Sequence, residues 1–386
     1  MRWLVGLLPA VLMAAPGIEA TKEFRTPSGL KVILVERHDR PVLRLHLMVA
    51  WERGDLSAGE LDQALALPSV MKACGAGNLN RQALERRLAD RGIRVGFSGL
   101  DDSLSWSVFA DSQDQEDAFA MLSDLVFRPA LGGLIEPQGP APSSELRFRT
   151  SLGFPSAEPF GAPLGIAERF SIHHRLVRPD HSVLVIQGDL SLTQARQLVL
   201  LHFGTWFPAA IKAEVPAQAT SEPRSLQPGK GAWTGSRSPG GDAKSRAAHI
   251  AASMLLARWL REEARDEVAF EAFRPDGDAG PWLFGLTSTA EPQRRLQNLL
   301  EGFRHRRCGK ADLAYVQRVW QAEHSDLALH PEDQVSALAR AALKGDPGPF
   351  VLALQPEEVN EALRSRLAPE ALCWLIPGKA EPLRPK

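Results

Sequence analysis

Histidines are the residues of this sequence best suited to metal chemistry, and they occur in two groups of interest. His173, His174 and His181 surround an Arg-Pro-Asp corner, where neutral imidazoles could ligate a metal ion. Farther along, Trp320-Gln-Ala-Glu-His324 resembles the end of the inverted zinc motif His-x-x-Glu-His. A tryptophan stands in place of the first ligand, and its indole offers only a donor. We therefore expect no metal at the second group and favour a structural role for the first, with metal binding as the alternative.

Cysteine usage argues against a disulfide framework and against a thiolate zinc site. The three cysteines, Cys74, Cys308 and Cys373, are widely spaced and include no Cys-x-x-Cys pair. At most one bridge can form within such a chain. Cys308 could pair with Cys373, but we favour buried free thiols. The segment Cys74-Gly-Ala-Gly77 lacks the lysine and the full glycine spacing of a phosphate-binding loop, so we interpret it as a capped helix C-terminus.

Composition sets the size and excludes some partners. The chain has 386 residues, of which 44% are hydrophobic, enough for two or three domains with packed cores. The 45 basic and 46 acidic side chains leave a net charge of −1. Such a balance creates no overall field that would favour nucleic acid or an anionic membrane, so we expect neither as a partner.

Strands and amphipathic helices alternate through the first half of the chain, residues 21–207. Apolar alternation and β-branched content predict strands near 31–37, 42–50, 93–98, 103–110 and 182–188. Helical periodicity predicts helices near 57–72, 81–91, 114–127, 164–176 and 191–203. Ser191 follows Gly-Asp-Leu and is the expected N-cap of the last helix. This order is typical of an α+β sandwich in which helices pack on one face of a mixed sheet.

A second region of the same kind follows an expected linker. Residues 208–241 carry five prolines and five glycines, a composition that predicts an exposed linker. Residues 242–386 form the expected second domain. Its predicted helices are 243–265, 291–306, 310–329, 332–344 and 356–366, and its predicted strands are 267–273, 282–289 and 371–376. The closing helix and strand repeat the ending of the first half.

Four stretches of the chain carry a resemblance to a known family. They begin with Thr26-Pro-Ser-Gly-Leu-Lys-Val and Pro41-Val-Leu-Arg-Leu-His, continue with the helix, glycine and strand of residues 81–98, and end with Val177-Arg-Pro-Asp-His-Ser-Val-Leu-Val-Ile-Gln-Gly-Asp-Leu190. Together they resemble zinc metallopeptidases of the pitrilysin/insulinase type, which include mitochondrial-processing-peptidase-like proteins. The resemblance implies two related α/β sandwich domains that form one half of a clamshell.

The zinc motif of that family is missing where the resemblance places it. Counted back from Gly92 without gaps, His-x-x-Glu-His would fall on Ala66, Ser69 and Val70. Alanine and valine have no lone pair for zinc, and serine is a poor general base for its water. No histidine occurs between His46 and His173, so a shifted register does not restore the motif. We expect no catalytic residues, no metal and no cofactor.

The family's third zinc ligand also lacks its usual context. That ligand lies on a long helix, whereas residues 128–163 are rich in proline and glycine here. Glu145 is the acidic residue nearest the expected separation. Prolines at 137, 140 and 142 precede it and disfavour a long helix, so we interpret Glu145 as a solvated or capping residue.

One substrate-binding feature of the family's second half is partly retained. Family members carry an arginine in Leu-Arg-Glu and then a tyrosine, which bind the substrate backbone. Leu260-Arg-Glu resembles that pattern, which gives Arg261 the arginine role, and Phe270 stands in place of the tyrosine after about two extra residues. A guanidinium can grip a peptide carbonyl, but a phenyl ring cannot donate a hydrogen bond. The alternative is that Arg261 is a solvated charge near a helix end.

The N-terminus predicts export. Arg2 is followed by an apolar run from Trp3 to Met13 and by small residues up to Ala20, the pattern of a secretory signal over residues 1–20. The run is too short for a stable membrane span. An uncleaved anchor is the alternative. We expect a periplasmic or otherwise exported, non-catalytic subunit that pairs with an active zinc peptidase of this family to enclose a peptide substrate. The alternative function is a stand-alone exported peptide-binding or scaffold protein.

Overall fold

The computed structural model describes most of the two predicted regions. Described residues are 21–51, 64, 67, 70–71, 74–100, 103–131, 166–207, 232–236, 242–264, 268–272, 282–286, 291–327, 330–345, 348–368 and 371–375. The expected signal and Glu145 lie outside these ranges, as do residues 208–231 of the expected linker. None of the described helices is both long and apolar enough to cross a membrane.

The first half is built on a six-stranded mixed sheet. Its strands are β1 (Thr21–Arg25), β2 (Lys31–Glu36), β3 (Val42–Ala50), β4 (Arg94–Leu100), β5 (Ser103–Asp111) and β6 (Ser182–Gly188). They lie in the order β1-β2-β6-β3-β5-β4, in which only β2 and β6 are parallel neighbours. The α+β class and the mixed sheet predicted from the sequence are therefore confirmed.

Strand alternation divides the sheet into two faces. Leu43, Leu45 and Leu47 of β3 point into the main core of the first half, because successive side chains of a strand leave opposite faces. Residues 64, 67, 70 and 71 are helical, and the helices of this half with described bounds are α1 (Arg81–Asp90), α2 (Gln115–Phe127), α3 (Ile166–Leu176) and α4 (Leu192–Phe203). Apolar side chains of all four belong to, or pack against, that core.

Local signals fix two of the element ends in this half. Ser191 caps α4 in a capping box with Gln194, as predicted, which satisfies backbone donors at the helix start. Gly188 ends β6 with φ of 152°, and a Cβ there would lie 2.2 Å from the Val42 carbonyl oxygen. Only glycine fits this close approach of two backbones.

The second half contains a four-stranded sheet and six helices within the described residues. The strands β7 (Ala232–Ser236), β8 (Val268–Ala272), β9 (Trp282–Leu286) and β10 (Cys373–Leu375) lie in the order β10-β7-β9-β8, with antiparallel pairing throughout. The helices are α5 (Ala243–Ala264), α6 (Pro292–His305), α7 (Lys310–Leu327), α8 (Pro331–Lys344), α9 (Gly348–Ala353) and α10 (Pro356–Arg366). Helix α5 is buried along most of its length and packs against α7, α9 and α10.

Three elements were not predicted. Strand β1 pairs with β2 at the edge of the first sheet, and the short helix α9 packs on α5. Strand β7 lies inside the expected linker, residues 208–241, and pairs with both β9 and β10. That linker assignment is thus wrong for residues 232–236, where ladder hydrogen bonds outweigh the unfavourable composition.

The second face of the first sheet is covered by a helix from the other half. Helix α8 places Val335 and Ala339 against Ile33, Met48 and the valines of β6, in a small apolar cluster of their own. The Gln187 side-chain amide donates a buried hydrogen bond to the Gln334 side-chain oxygen at 2.8 Å. Helices therefore lie on both faces of this sheet, whereas the sequence predicted helices on one face.

Candidate functional site

The helix expected to carry the zinc motif faces the core. Ala64, Leu67, Val70, Met71 and Cys74 are each no more than 6% exposed and belong to the main core of the first half. Residues 64, 67, 70 and 71 are helical, and the spacing of three or four residues from 64 to 67 and from 67 to 70 and 71 places them on one side of the helix. The structure therefore assigns this side to packing.

Val70 does not fit a zinc ligand. Its side chain is 5% exposed and packs among apolar neighbours, and an isopropyl group has no lone pair for a metal. Ala66 and Ser69 lie outside the described residues, so their unsuitability follows from residue type alone. Across the described ranges, no three His, Cys, Asp or Glu side chains form a group able to hold a metal ion.

The three histidines near the Arg-Pro-Asp corner are in different environments. His173 is 2% exposed, and burial lowers its pKa to about 3. Its ring meets that of His174 edge-on, with centroids 5.7 Å apart. His181 is exposed and lies 4.0 Å from the Asp180 carboxylate. All three are described, and they belong to no described group of three His, Cys, Asp or Glu side chains that could hold a metal ion.

The remaining sequence candidates are packing residues where they are described. Trp320 is 2% exposed in the core of the second half. Cys74 and Cys308 are buried free thiols, as we favoured, and the alternative bridge from Cys308 to Cys373 is absent. Burial raises the pKa of Cys308 to about 11, so this thiol is a poor nucleophile at neutral pH.

Arg261 lies in the last turn of α5 with an exposed side chain. The turn is held by a charged network: Glu262 accepts hydrogen bonds from Arg258 at 2.8 Å and from Arg306 at 3.0 Å. Phe270 lies on β8, opposite Gly285 of β9, next to an irregularity in the pairing. Ion pairs therefore hold the end of α5, on which Arg261 lies, in place. That Arg261 and Phe270 form one substrate-binding site stays a prediction.

Sequence reasoning missed a group on the second face of the first sheet. The guanidinium carbons of Arg44 and Arg94 lie 5.0 Å and 4.3 Å from the centroid of the Phe109 ring. The only signal in the sequence is the polar alternation Arg44, His46 in an otherwise apolar strand. That these three residues meet depends on the register of β3, β5 and β4, which the sequence does not specify.

Several solved proteases share this fold. A protease from Helicobacter pylori superposes with a TM-score of 0.69 at 14% identity, covering 93% of this chain and all of that one. An inactive domain of an M16 peptidase from Pseudomonas fluorescens gives a TM-score of 0.65 at 18% identity, over 95% of this chain and all of the domain.

A larger protein contains the same fold as a part. The periplasmic protease PqqL from Escherichia coli gives a TM-score of 0.66 at 15% identity, over 93% of this chain and 46% of that one. The sequence itself matches no family model and no curated protein. The chain therefore has the M16 peptidase fold predicted from its four stretches, and these identities show the fold alone.

Proposed function

We propose that this chain is a degenerate, non-catalytic member of the insulinase family that pairs with an active zinc peptidase and helps form its peptide-binding chamber. One observation carries the proposal. Val70, at a position where the family places a zinc ligand, is an aliphatic core residue in a chain that has the M16 fold. A pairing role needs the fold but not the zinc ligands.

The size of the solved neighbours supports pairing. This chain matches 46% of PqqL, so that protease is about twice the length of the match. A neighbour described as an inactive domain is matched over its full length. In this proposal the chain supplies one half of such an enclosure, and the peptidase partner supplies the other half. Obligate interfaces of this kind commonly bury more than about 2,000 Å².

Within the chamber we propose Arg261 and Phe270 as substrate-binding residues. The fixed end of α5 supports Arg261, because the ion pairs of Glu262 restrict that turn. The guanidinium would donate to a peptide carbonyl, and Phe270 would provide apolar contact without a hydrogen bond.

Reconstitution with the catalytic partner tests the pairing. We expect the chain alone to be inert and free of stoichiometric zinc, the partner alone to be weakly active, and the mixture to cleave peptide well above the partner. In the mixture, Arg261→Ala should raise KM about tenfold, the effect of losing a charge-assisted hydrogen bond. Arg294→Ala, which removes another exposed arginine, is the control.

Two outcomes of these experiments would contradict the proposed function. If the partner's activity is the same with and without this chain, the subunit role is wrong and the stand-alone binding or scaffold function takes its place. One tightly held zinc per chain, measured by elemental analysis, would contradict the non-catalytic assignment itself.

We also propose that the protein is exported. The charge of Arg2 and the apolar run that follows it support this, and a solved neighbour is a periplasmic protease. A fusion of residues 1–20 to a reporter should carry the reporter out of the cytoplasm, and replacing Leu7 and Leu8 of the apolar run by Asp should stop it. Retention of the unmodified fusion in the cytoplasm would refute export.

A further inference from the structure

A row of side chains crosses the second face of the first sheet. Gln187, Arg44, Phe109 and Arg94 lie directly opposite one another on β6, β3, β5 and β4. Residues in register share a face of the sheet, so all four lie on the face that α8 covers in part. The Gln187 end of the row is under α8, and the Arg94 end reaches the edge strand β4.

Two guanidinium groups share one aromatic ring in this row. Both lie within 5.0 Å of the centroid of Phe109, which favours each cation individually but brings two like charges together. Within the described part of the chain, neither Arg44 nor Arg94 has a hydrogen bond or an ion pair with a carboxylate. Arg37, Arg128 and Arg178 of the same half, by contrast, each contact an aspartate.

The residues around Arg44 carry more positive than negative charge. Burial lowers the pKa of Arg44, and the positive charges of Arg37, Arg40 and Arg94 lower it further, while Glu332 of α8 opposes them. Asp39 is already engaged by Arg37 at 3.0 Å and lies 3.9 Å from Arg40. The group therefore has an excess of positive charge that a bound anion would reduce.

The surface of the sheet beside the two arginines is polar. Ser98 and Ser107 are exposed on the same face, so this part of the sheet is open. Gly96 lies directly opposite Ser107, and a Cβ there would be 2.5 Å from the Ser107 hydroxyl oxygen, so this hydroxyl takes the space that a side chain of residue 96 would need. The residues of this face next to the arginines are therefore small and polar or without a side chain.

We propose that Arg44, Phe109 and Arg94 form a binding site for carboxylate groups of an extended peptide. A guanidinium stacked on a ring is held in one plane and keeps its N–H edge free to donate two parallel hydrogen bonds to a carboxylate. The identity of the ligand as a peptide rests on the proposed function, whereas the carboxylate chemistry follows from the arginines. The site selects peptides that present a carboxylate, and the rest of the peptide lies along the serine residues of this face.

Calorimetric titration of the full chain with designed peptides tests the site. The first probe is an acetylated, amidated nonapeptide of alanine and serine with glutamate at three alternate positions, which an extended chain presents on one face. The second has glutamine at those positions. The third is the glutamine peptide with a free C-terminal carboxylate. We expect the first or the third to bind about tenfold tighter than the second, the effect of one charge-assisted hydrogen-bonded pair.

Variants of single arginines show which residues cause the preference for carboxylate peptides. Arg44→Gln and Arg94→Gln should each remove most of the preference for carboxylate. Arg196→Gln should leave it unchanged, although Arg196 also stacks on a ring, 5.3 Å from the centroid of Phe24. Arg94 is exposed on an edge strand, so its variant keeps the test valid if half-buried Arg44 is needed for folding.

The outcomes separate this inference from the proposed function. Preference by the first probe assigns the site to acidic side chains, and preference by the third assigns it to a peptide C-terminus. Equal binding of all three probes, no binding at all, or an equal loss in Arg196→Gln would overturn the site. Since no peptidase is present in this titration, its failure leaves the pairing experiment unaffected.

Discussion

Among the residues whose side chains the structure describes, three histidines are buried, and burial keeps each of them neutral. Burial lowers the pKa to about 4 for His46, about 3 for His173 and about 4 for His249. His46 lies on the second face of the first sheet, where the charge of Arg340 on α8 lowers its pKa further. An imidazole protonates readily in the unfolded chain at mildly acidic pH, so each of these residues makes folding dependent on pH.

Replacing His46 by leucine should make the protein less sensitive to acid. The pKa is about 6.5 in the unfolded chain and about 4 in the folded one. Between these values only the unfolded state binds the proton, so the free energy of unfolding falls as the pH drops from 6.5 to 4, by up to about 3 kcal/mol. His46→Leu lacks this loss. Urea unfolding at pH 6.5 and 4.5 measures the free energy of unfolding of each variant. His181→Gln, which changes an exposed histidine, is the control. An equal pH dependence of wild type and His46→Leu would contradict the prediction.

The residue types in the sequence showed that the expected zinc-motif positions lack suitable side chains, but they did not show which side chains meet on the second face of the sheet. Alanine and valine in place of the two histidine ligands were visible in the sequence, because no neighbour can give a methyl group a lone pair, and so was serine, a poor general base, in place of the glutamate. The stack of Arg44 and Arg94 on Phe109 was not visible. Phe109 is more than sixty residues from Arg44 along the chain, and only the strand register brings them together.

At the scale of elements, periodicity predicted most helices and strands to within a few residues. It succeeded where one face of an element is buried, as in β5 and α10, because burial imposes the period. It failed for β7, whose five residues sit among prolines and glycines and gain their stability from two neighbouring strands. A strand of that kind has little signal of its own.

The partner of a helix is harder to predict than the helix. Residues 332–344 were predicted as helical, but an amphipathic pattern shows only that one side is buried. The structure shows that this helix, α8, covers the sheet of the first half. It is also fixed by Arg246 of α5, which donates hydrogen bonds to the carbonyl oxygens of Lys344 and Gly345.

The buried Gln187–Gln334 hydrogen bond should specify where α8 docks. Gln334→Leu removes the acceptor of a fully buried amide, which should lower the free energy of unfolding by about 1–3 kcal/mol. Adding Gln187→Leu should recover part of that loss, because no polar group is then left unpaired. Urea unfolding of the four proteins in a double-mutant cycle measures the coupling.

Gln317→Leu is the matched control for that cycle, since Gln317 donates to the Leu352 carbonyl oxygen at the surface. It should cost less than Gln334→Leu. Additive losses in the double variant would mean that the two glutamines do not depend on each other.

At the scale of the whole molecule, the two halves are joined by the cluster around α8. Each half has its own core, which the sequence predicted by its repeated endings. The third cluster mixes residues of both: Ile33, Met48 and two valines of the first sheet pack against Val335 and Ala339. The domain boundaries at 207 and 242 stay a prediction, while the cluster around α8 packs residues from both sides of them together.

A fragment that ends at residue 207 should not fold stably alone. Without α8, Ile33, Met48, Val183 and Val185 would be exposed to water, although each is at most 3% exposed in the full chain. Burying such a side chain contributes about 1.5–3 kcal/mol, and a domain has only about 5–15 kcal/mol of net stability. We expect the fragment 21–207 to aggregate or to melt without a cooperative transition, and co-expression with residues 232–386 to restore a soluble complex. The same complex with Val335→Asp, which places a charge in the cluster, should not form. A monomeric fragment 21–207 with a sharp thermal transition of its own would show that the first half needs no helix from the second.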